Sequence, residues 1–493
     1  MRWKRRRQIL MTEKAEMVKE MIRQLGDDAV LYRDEDLLTY ECDGLTVYRG
    51  MPIAVVFPSS TAEVSGVVKW LYENDIPFIP RGAGTGLSGG ATPLGGEVII
   101  SLVRMKKLLH LDYDNREAVV QPGYINLALT NSITNKGFYY APDPSSQSNC
   151  TIGGNVAENA GGAHCLKYGV TTNHVLGLEV VLHNGEVIDI GGVPDTPGYD
   201  LMGLLTGSEG TLGIVTAITV RILKNPEGKE TAMAYFDTVE DASYAVSDII
   251  AAGIVPAAIE MMDEIAIQGV ERATKPAGHP EGSKAVLIME VDGIAAGIEE
   301  QIKDMVSVCE RHNVTEIKVA KNDRERGRWW ANRKTAFGAM GAISPDYLVQ
   351  DGVIPRSRLS EVLANIADIS AESGLRIANV FHAGDGNLHP LILFDARNEG
   401  ETDLALKVGS QTLEACTAAG GSITGEHGVG IEKKEDMRLV FTEREIDRQL
   451  NVRSVFNPNN MLNPDKQFPK PARCGEVKQA VGSGEAHQVV GQG

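Results

Sequence analysis

The sequence has little of what several large classes of protein need. Its six cysteines are scattered and form no Cys-x-x-Cys pair, so neither an iron–sulfur cluster nor a disulfide framework is predicted, and a reducing compartment fits. No stretch approaches the roughly 20 apolar residues of a membrane span. Acidic residues outnumber basic ones, 66 against 48, and the net charge of −18 argues against extended contact with nucleic acid. We therefore expect a cytoplasmic protein that contacts a membrane only through partners.

What the sequence has in abundance is length and glycine. A chain of 493 residues is long for a single core, so two or three domains are expected. Its 53 glycines exceed the average usage of about 7%. Composition changes at "NPEGKE", which suggests a boundary near residue 225. The predicted division is an N-terminal extension (1–30), two folded domains (31–225 and 226–470) and a disordered tail (471–493).

Hydrophobic patterns predict different architectures for the two folded parts. In the first part, "IAVVFP" and "IPFIP" read as buried strands on either side of a helix, "SSTAEVSGVVKWLYEND", in which Ser60 and Glu63 have capping-box spacing. Asn184-Gly185 marks the turn of a hairpin. The second part alternates helices with strands such as "KAVLIMEV" and "PLILFD". This alternation indicates an α+β domain with an antiparallel sheet.

A glycine-rich loop, "RGAGTGLSGGATPLGG", directly follows the strand "IPFIP". A GxGxG pattern alone is a weak sign of dinucleotide binding, because the Rossmann fold also requires a helix that begins in the loop. Here a strand follows, so a nicotinamide-binding fold is disfavoured. What remains is a run of backbone N–H groups that can wrap an anion, with Arg81, Thr85 and Ser88 as further donors.

Two histidines bracket a tight turn in "NVFHAGDGNLHPLILF". If 377–381 and 390–394 pair as strands, His382 and His389 lie opposite each other with Cβ atoms about 5 Å apart, which allows both imidazoles to bind one metal ion. A second stretch, "GGSITGEHGVGIEKK", adds Glu426 and His427. Two histidines and a carboxylate with open positions form a divalent-metal arrangement. A purely structural role for the histidines is the alternative.

Three motifs carry a family resemblance: "PRGAGTGLSGGA", "PDPSSQSNCTIGGNVAENAGG" and "GSEGTLGIVT". In this order and spacing they resemble the FAD domain of the vanillyl-alcohol-oxidase (PCMH) type, and within it the FAD-linked oxidases that oxidise D-2-hydroxy acids. The resemblance covers roughly residues 30 to 470. It implies an α+β protein with a PCMH-type FAD-binding domain at 31–225. The cap domain at 226–470 is then α+β with an antiparallel sheet, and its last segment returns to the FAD domain.

The resemblance also implies which residues bind the cofactor FAD. They belong to the three motifs and to one position near the end of the chain: Pro80, Arg81, Gly82, Ala83, Gly84, Thr85, Gly86, Ser88, Pro142, Thr151, Gly153, Gly154, Asn155, Ala157, Glu209, Gly210, Ile214, Val215 and Asn463. Some relatives hold FAD covalently through a histidine. His164 lies near the second motif, but nothing in the sequence assigns it that role.

The implied reaction is oxidation of a small 2-hydroxy acid to the 2-oxo acid by hydride transfer to flavin N5. Similar dehydrogenases place a divalent metal (Zn, Mn or Fe) on the residues matching His382, His389 and Glu426, and use the residue matching His427 as base. A metal lowers the pKa of the substrate hydroxyl, and a neutral imidazole can then accept its proton. Arg333, in "RGRWWANRKTAFG", matches the arginine that binds the substrate carboxylate.

The same resemblance narrows the choice of substrate, of functional class and of partner proteins. Phe337, Val349 and Leu391 stand where the hydroxyglutarate branch carries polar residues, which favours glycolate over D-lactate and D-2-hydroxyglutarate. Two other classes stay open: a metal-dependent hydrolase using the same cluster, and a non-catalytic flavin subunit for electron transfer. The expected partners are a second, related flavin subunit and an iron–sulfur subunit that passes electrons to quinone. Through them the protein is expected to reach the inner membrane.

Overall fold

The computed structural model describes residues 2–192, 198–273 and 278–470; the predicted tail at 471–493 lies outside the described residues. The helices are α1 (Arg2–Leu25), α2 (Asp34–Leu37), α3 (Thr61–Glu73), α4 (Asn126–Ile133), α5 (Ile152–Glu158), α6 (Cys165–Tyr168), α7 (Leu201–Leu205), α8 (Val239–Ala251), α9 (Glu264–Arg272), α10 (Ile298–Glu310), α11 (Asp323–Lys334), α12 (Ala336–Ala339), α13 (Leu359–Ser373), α14 (Glu401–Ala418), α15 (Met437–Val440) and α16 (Glu443–Phe456).

Within the described ranges, the strands form four sheets. They are β1 (Val30–Leu31), β2 (Ala54–Val56), β3 (Phe78–Arg81), β4 (Val98–Ser101), β5 (Leu108–Asp112), β6 (Glu117–Val120), β7 (Phe138–Tyr139), β8 (Val175–Val181), β9 (Val187–Gly191), β10 (Ile214–Arg221), β11 (Leu223–Lys224), β12 (Gly228–Phe236), β13 (Ala258–Asp263), β14 (Ala285–Gly293), β15 (Val314–Val319), β16 (Asp346–Val349), β17 (Gly352–Val353), β18 (Arg376–His382), β19 (Asn387–Leu388) and β20 (Pro390–Phe394).

The first sheet has the order β1-β2-β4-β3, with β4 running parallel to both β2 and β3. The helix predicted between β2 and β3 is α3, and the Ser60 side chain caps it by accepting a hydrogen bond from the Glu63 N–H. Val64, Val67 and Leu71 are fully buried against the sheet, as their helical spacing requires. The glycine-rich loop leaves β3 at the edge of this sheet and reaches β4 without forming a helix.

A second sheet completes the first part of the chain. Its order is β5-β6-β10-β8-β9 and all pairs are antiparallel. The hairpin β8–β9 turns at Asn184-Gly185, where Gly185 has φ +86° and its N–H donates to Leu182 O. The predicted hairpin is therefore confirmed.

The second part of the chain is built on an antiparallel sheet whose central order is β15-β12-β14-β13-β18. Every residue of β13 is buried, because helices cover both faces of the sheet. Helices α8, α10, α13 and α14 contribute to the core on one face, and α9, α11 and α12 contribute to the core on the other. Mixed helices and antiparallel sheets make this an α+β protein, as predicted.

The end of the described chain contacts the first sheet again. The Phe78 N–H donates to Met461 O at 2.9 Å, and the Asn463 N–H donates to Phe78 O at 2.8 Å. Residues 461–463 therefore run beside β3, next to the start of the glycine-rich loop. Among the described residues, no helix combines the length and the apolar character needed to cross a bilayer.

Candidate active site

Most of the residues predicted to form the site line one cavity between the two parts of the chain. The predicted cofactor residues that line it are Pro80, Arg81, Gly82, Ala83, Gly84, Thr85, Gly86, Thr151, Gly153, Gly154, Asn155, Ala157, Glu209, Gly210, Ile214 and Val215. The predicted metal ligands and catalytic residues line it as well, namely Arg333, His382, His389, Glu426 and His427. Two sets of residues that are far apart in sequence thus face a common space.

The cofactor side of the cavity is a backbone cradle. A Cβ atom at Gly82 would lie 2.5 Å from Thr151 Oγ1, and Gly84 has φ +72°, so a larger residue at either position is strained. The Thr151 side chain caps α5 by accepting from the Gly154 N–H. Asn155 Nδ2 is buried and makes no hydrogen bond of good geometry among the described residues. Close-approach glycines, a helix N-terminus and an unused amide donor fit the phosphate and ring of a dinucleotide.

Three predicted cofactor residues do not line the cavity. Ser88 is fully buried, and its carbonyl accepts hydrogen bonds from two backbone N–H groups of the 431–432 segment. Pro142 O accepts from Asn126 Nδ2 at 2.9 Å. Asn463 Nδ2 donates to Gly90 O and Glu209 O. These residues hold the loops around the cavity in place.

The Arg81 guanidinium is also engaged inside the protein. It donates to Ala91 O and Cys42 O, and it lies 5.5 Å from the centre of the Tyr40 ring. Burial lowers the pKa of Arg81. Of the three side-chain donors predicted for the anion, Arg81 and Thr85 line the cavity and Ser88 does not.

The two turn histidines converge, although not in the predicted register. Strands β18 and β20 pair antiparallel, and His382 has Asn387 as its direct partner. His389 is therefore a diagonal neighbour of His382 on the same face, two positions further along. The expectation that they lie directly opposite was wrong by this two-residue offset. Their ring centres are nevertheless 5.0 Å apart.

Glu426 lies between these rings and completes a possible metal site. Its Oε1 is 3.1 Å from His382 Nε2 and 3.3 Å from His389 Nε2. Burial alone would raise the pKa of Glu426, but the two histidines outweigh burial and hold that pKa well below its usual range. His389 Nε2 is buried without a hydrogen bond of good geometry among the described residues. Three donors that converge in this way match the ligand chemistry of a divalent cation.

A fully buried carboxylate, Glu260, joins the histidine cluster to Arg333. Glu260 Oε1 is 2.7 Å from His382 Nδ1, and its Oε2 is 2.5 Å from Arg333 Nη2. Burial opposes protonation of His382, but Glu260 and Glu426 overcome this and raise its pKa well above the usual value. Arg333 Nε and Nη2 lack hydrogen bonds of good geometry among the described residues. Because Nη2 is already in contact with Glu260, Nε is the donor that has no partner among the described residues.

A second buried carboxylate, Asp351, shapes the loop that carries Glu426 and His427. Its Oδ2 accepts hydrogen bonds from the backbone N–H groups of Gly425, Glu426 and His427 at 2.9–3.1 Å. The His427 ring stacks on His389, with centres 4.8 Å apart. Burial lowers the pKa of His427 to about 4, so its imidazole is neutral near neutral pH. A neutral imidazole is the form that can accept a proton.

The three residues used to predict substrate size do not all reach the cavity. Phe337 lines it, and its ring centre is 5.8 Å from that of His389. Val349 and Leu391 are instead part of the apolar core beneath the sheet. The prediction of a small substrate therefore depends on Phe337.

His164 lies outside this cavity. Its Nδ1 is 3.0 Å from Asp143 Oδ2, its Nε2 is 3.5 Å from Glu290 Oε1, and its ring lies 5.4 Å from that of Trp330. Burial opposes its protonation, but the two carboxylates raise its pKa to about 10. His164 thus links the two parts of the chain by charge, and it is not among the residues that line the cofactor cradle.

Glu260 and Asp351 are the residues that sequence reasoning missed. Each had a signal in the sequence: Glu260 interrupts the apolar run "AAIEMM", and Asp351 lies two positions after the apolar "YLV" and directly precedes a glycine. A charged residue in a buried strand requires a partner. The pattern could have marked both residues as paired, but it could not name their partners.

Comparisons with known proteins match both parts of the chain. A family model described as "FAD binding domain" matches residues 52–191, and one described as "FAD linked oxidases, C-terminal domain" matches residues 225–467. The chain is 46% identical over 448 residues to the glycolate oxidase subunit GlcD of Escherichia coli (strain K12), covering 91% of this chain and 90% of that protein. It is 39% identical to GlcD of Bacillus subtilis (strain 168), with 88% and 93% covered. It is 33% identical to D-lactate dehydrogenase of Anaerostipes hadrus, with 91% and 96% covered.

Solved structures support the fold. A p-cresol methylhydroxylase structure superposes with a TM-score of 0.77 at 19% identity and covers 92% of this chain and 96% of its own. The 4-ethylphenol oxidase from Gulosibacter chungangensis gives 0.76 at 18% identity, with 93% and 98% covered. These structures carry the vanillyl-alcohol-oxidase/PCMH-type fold, so the predicted fold class is confirmed.

Proposed function

Because this chain belongs to the family of FAD-linked oxidases, we propose that it oxidises a small 2-hydroxy acid to the 2-oxo acid. Glycolate is the favoured substrate, and D-lactate and D-2-hydroxyglutarate are the alternatives. The observation that carries the proposal is that Arg333, His427 and the His382–His389–Glu426 triad line the same cavity as the glycine cradle. A carboxylate-binding cation, a base and a cofactor site are the parts that this oxidation requires.

The cradle formed by 80–86, 151–157 and 209–215 holds FAD in this proposal. When bound, FAD supplies the hydride acceptor, N5 of the flavin ring. The protein contributes backbone N–H groups at the glycine loop and at the N-terminus of α5, where the helix dipole favours a negatively charged group.

His382, His389 and Glu426 are the residues that would hold a divalent metal, with zinc, manganese and iron as candidates. Such an ion supplies a positive charge that lowers the pKa of a nearby hydroxyl. The protein side of this site is already arranged for it: both imidazoles present Nε2 to the same carboxylate oxygen. Both rings are buried, and they face each other across Glu426.

Arg333 binds and orients the substrate carboxylate. Its guanidinium is held from one side by Glu260, and its Nε–H can donate to an incoming carboxylate. A second N–H on the same edge allows a bidentate contact, which fixes orientation as well as position. Phe337 bounds the space beside His389 and so favours a substrate with a small side chain.

His427 accepts the hydroxyl proton at Nε2, the ring nitrogen that lies 3.7 Å from Glu426 Oε1. Because burial holds its pKa at about 4, the ring is in its base form throughout the physiological range. The hydrogen bond from the His427 N–H to Asp351 fixes the backbone that carries the ring. General-base catalysis of this kind contributes about 10² to 10⁴ in rate.

We further propose that the chain works as a subunit. The E. coli and B. subtilis relatives are each named as a glycolate oxidase subunit, and the sequence has no Cys-x-x-Cys pair for a cluster of its own. A second flavin subunit and an iron–sulfur subunit that delivers electrons to quinone would complete the route. Contact with the inner membrane would then be made through these partners. Rapid turnover of the isolated chain with oxygen as acceptor would count against this.

The experiment is anaerobic mixing of the purified yellow protein with glycolate, each lactate enantiomer and D-2-hydroxyglutarate, while flavin absorbance is recorded. We expect bleaching, fastest with glycolate. A yellow protein that no 2-hydroxy acid bleaches would indicate the non-catalytic electron-transfer subunit. A colourless, metal-containing protein would favour the hydrolase.

A further inference from the structure

We propose that Glu260 is a positioning residue that ties the metal-binding histidine to the carboxylate-binding arginine. This inference rests on the proposed function and deepens it. Glu260 has no exposed surface, and its two carboxylate oxygens divide their contacts between His382 and Arg333. A single buried side chain therefore contacts both ends of the proposed substrate site.

The sheet brings Glu260 to this place. Strands β13 and β18 are antiparallel neighbours, and in their register Glu260 is the direct partner of His382. Directly opposed residues point to the same face of a sheet with their Cβ atoms about 5 Å apart. Helix α11 packs on this face through Trp329, in the same core as Met262 and Val380, and it brings Arg333 to the other oxygen of Glu260.

The contact with His382 orients the ring toward the metal position. Glu260 Oε1 lies 2.7 Å from Nδ1, so in the neutral ring, the form that binds a metal, Nδ1 carries the proton and the lone pair is on Nε2, the atom that faces Glu426. A carboxylate on the far side of a metal-binding histidine fixes its tautomer and increases its basicity. Removing such a partner lowers metal affinity by about 10- to 100-fold.

The contact with Arg333 serves the other end of the substrate. Arg333 is almost fully buried, and a buried guanidinium without a counter-charge is costly. Glu260 supplies that charge at Nη2 and leaves Nε without a partner among the described residues. Because Glu260 contacts both residues, one side chain fixes the distance between the Arg333 guanidinium, which binds the substrate carboxylate, and His382 Nε2. This spacing matters because a 2-hydroxy acid carries its hydroxyl and carboxylate on adjacent carbons.

Glu260→Gln tests the inference, with Glu290→Gln as the matched control. Glu290 lies on the adjacent strand β14, is also buried, and contacts Thr231, Trp330 and His164. In E260Q the amide can still accept from His382, but its N–H groups face the Arg333 guanidinium. In E290Q the same chemical change occurs in the same sheet, away from the histidine triad.

Metal affinity is measured on full-length, FAD-loaded protein by competition of zinc or manganese with a chelator, and kcat and KM are measured with glycolate. We expect metal affinity in E260Q to fall by about 10-fold or more, and KM to rise by a similar factor. E290Q should stay within about twofold of the wild type in both. E260D keeps the charge with a shorter reach and should lie between E260Q and the wild type.

Each alternative outcome is decisive. An E260Q protein with wild-type metal affinity and KM overturns the inference, and so does an E290Q protein with the same losses, because buried charge alone would then explain them. If E260Q does not fold, a folded E260D with wild-type values overturns it equally. A wild-type protein that binds no metal and oxidises none of the acids refutes the proposed function itself.

Discussion

The two sides of the cavity are formed by different kinds of chemical group. The cofactor side consists of backbone from a few short continuous segments, chiefly 80–86 and 151–157, in which glycine permits close approach. The substrate side consists of charged side chains from α11, β18 and two loops. A backbone cradle is local, whereas the charged cluster depends on how distant elements pack.

The charged side depends on buried carboxylates that act as counter-charges. Arg333, His382 and His389 are nearly fully buried, and each faces at least one buried carboxylate. Glu260 and Asp351 provide these charges and hydrogen bonds. We therefore expect the cradle to be most sensitive to changes in volume at its glycines, and the histidine cluster to be most sensitive to changes in charge.

The largest expected effect on turnover comes from His427→Ala. Loss of the base should slow reduction of the flavin by 2-hydroxy acid about 10³-fold, while FAD remains bound because the cradle is untouched. Stopped-flow absorbance measures the reduction and the protein's colour reports FAD. His174→Ala, a buried histidine hydrogen-bonded to Tyr168 O, is the control. Equal slowing in both variants would contradict the role of His427.

Asp351→Asn should have the next largest effect. A neutral amide oxygen accepts the four hydrogen bonds that converge on Oδ2 more weakly than a carboxylate does, so the 424–427 loop is held less firmly. We expect about 3 kcal/mol of lost stability to urea and metal affinity lower by at least about tenfold. Asp263→Asn, which replaces an oxygen that accepts two hydrogen bonds from Asn379, should lower stability alone. Unchanged metal binding in D351N would refute the role of Asp351 in holding the loop that carries Glu426.

A change in volume tests the cradle. Gly84 has φ +72°, and a Cβ atom there would collide with the Arg81 guanidinium. The left-handed backbone alone costs about 1–2 kcal/mol, which corresponds to roughly tenfold weaker FAD binding. Fluorescence titration with FAD measures this for Gly84→Ala. Gly341→Ala, where a Cβ meets no atom within 4 Å, is the control. Metal affinity should be the same in both.

The smallest effect on turnover is expected from His164→Gln, because His164 lies outside the cavity. Its effect is on stability. The folded pKa of His164 is raised to about 10 from 6.5, so the stabilisation from Asp143 and Glu290 is complete below pH 6.5 and is lost as pH rises toward 10. The difference in unfolding free energy between wild type and variant should therefore shrink across this window. If the difference in unfolding free energy does not change with pH, charged His164 does not stabilise the fold through Asp143 and Glu290.

Part of the site was accessible from sequence because its signals are short-range. Gly82 and Gly84 lie in one loop, and His382 and His389 are separated by a single turn, so their proximity follows from local structure. The register of that turn was wrong by two residues because β19 pairs directly with the end of β18. Only packing showed that Leu391 points into the core and Phe337 into the cavity.

By itself, the sequence determined the α+β class, the glycine loop that has no helix, and the identity of the groups able to bind a metal. These depend on periodicity, turn chemistry and side-chain type, which act over a few residues. The tertiary structure alone decided that Glu260 lies opposite His382 on the neighbouring strand and contacts Arg333 of α11. It also decided that Asp351 accepts the hydrogen bonds that hold the 424–427 loop. Buried charges find their partners through the packing of distant elements, and no local pattern encodes that packing.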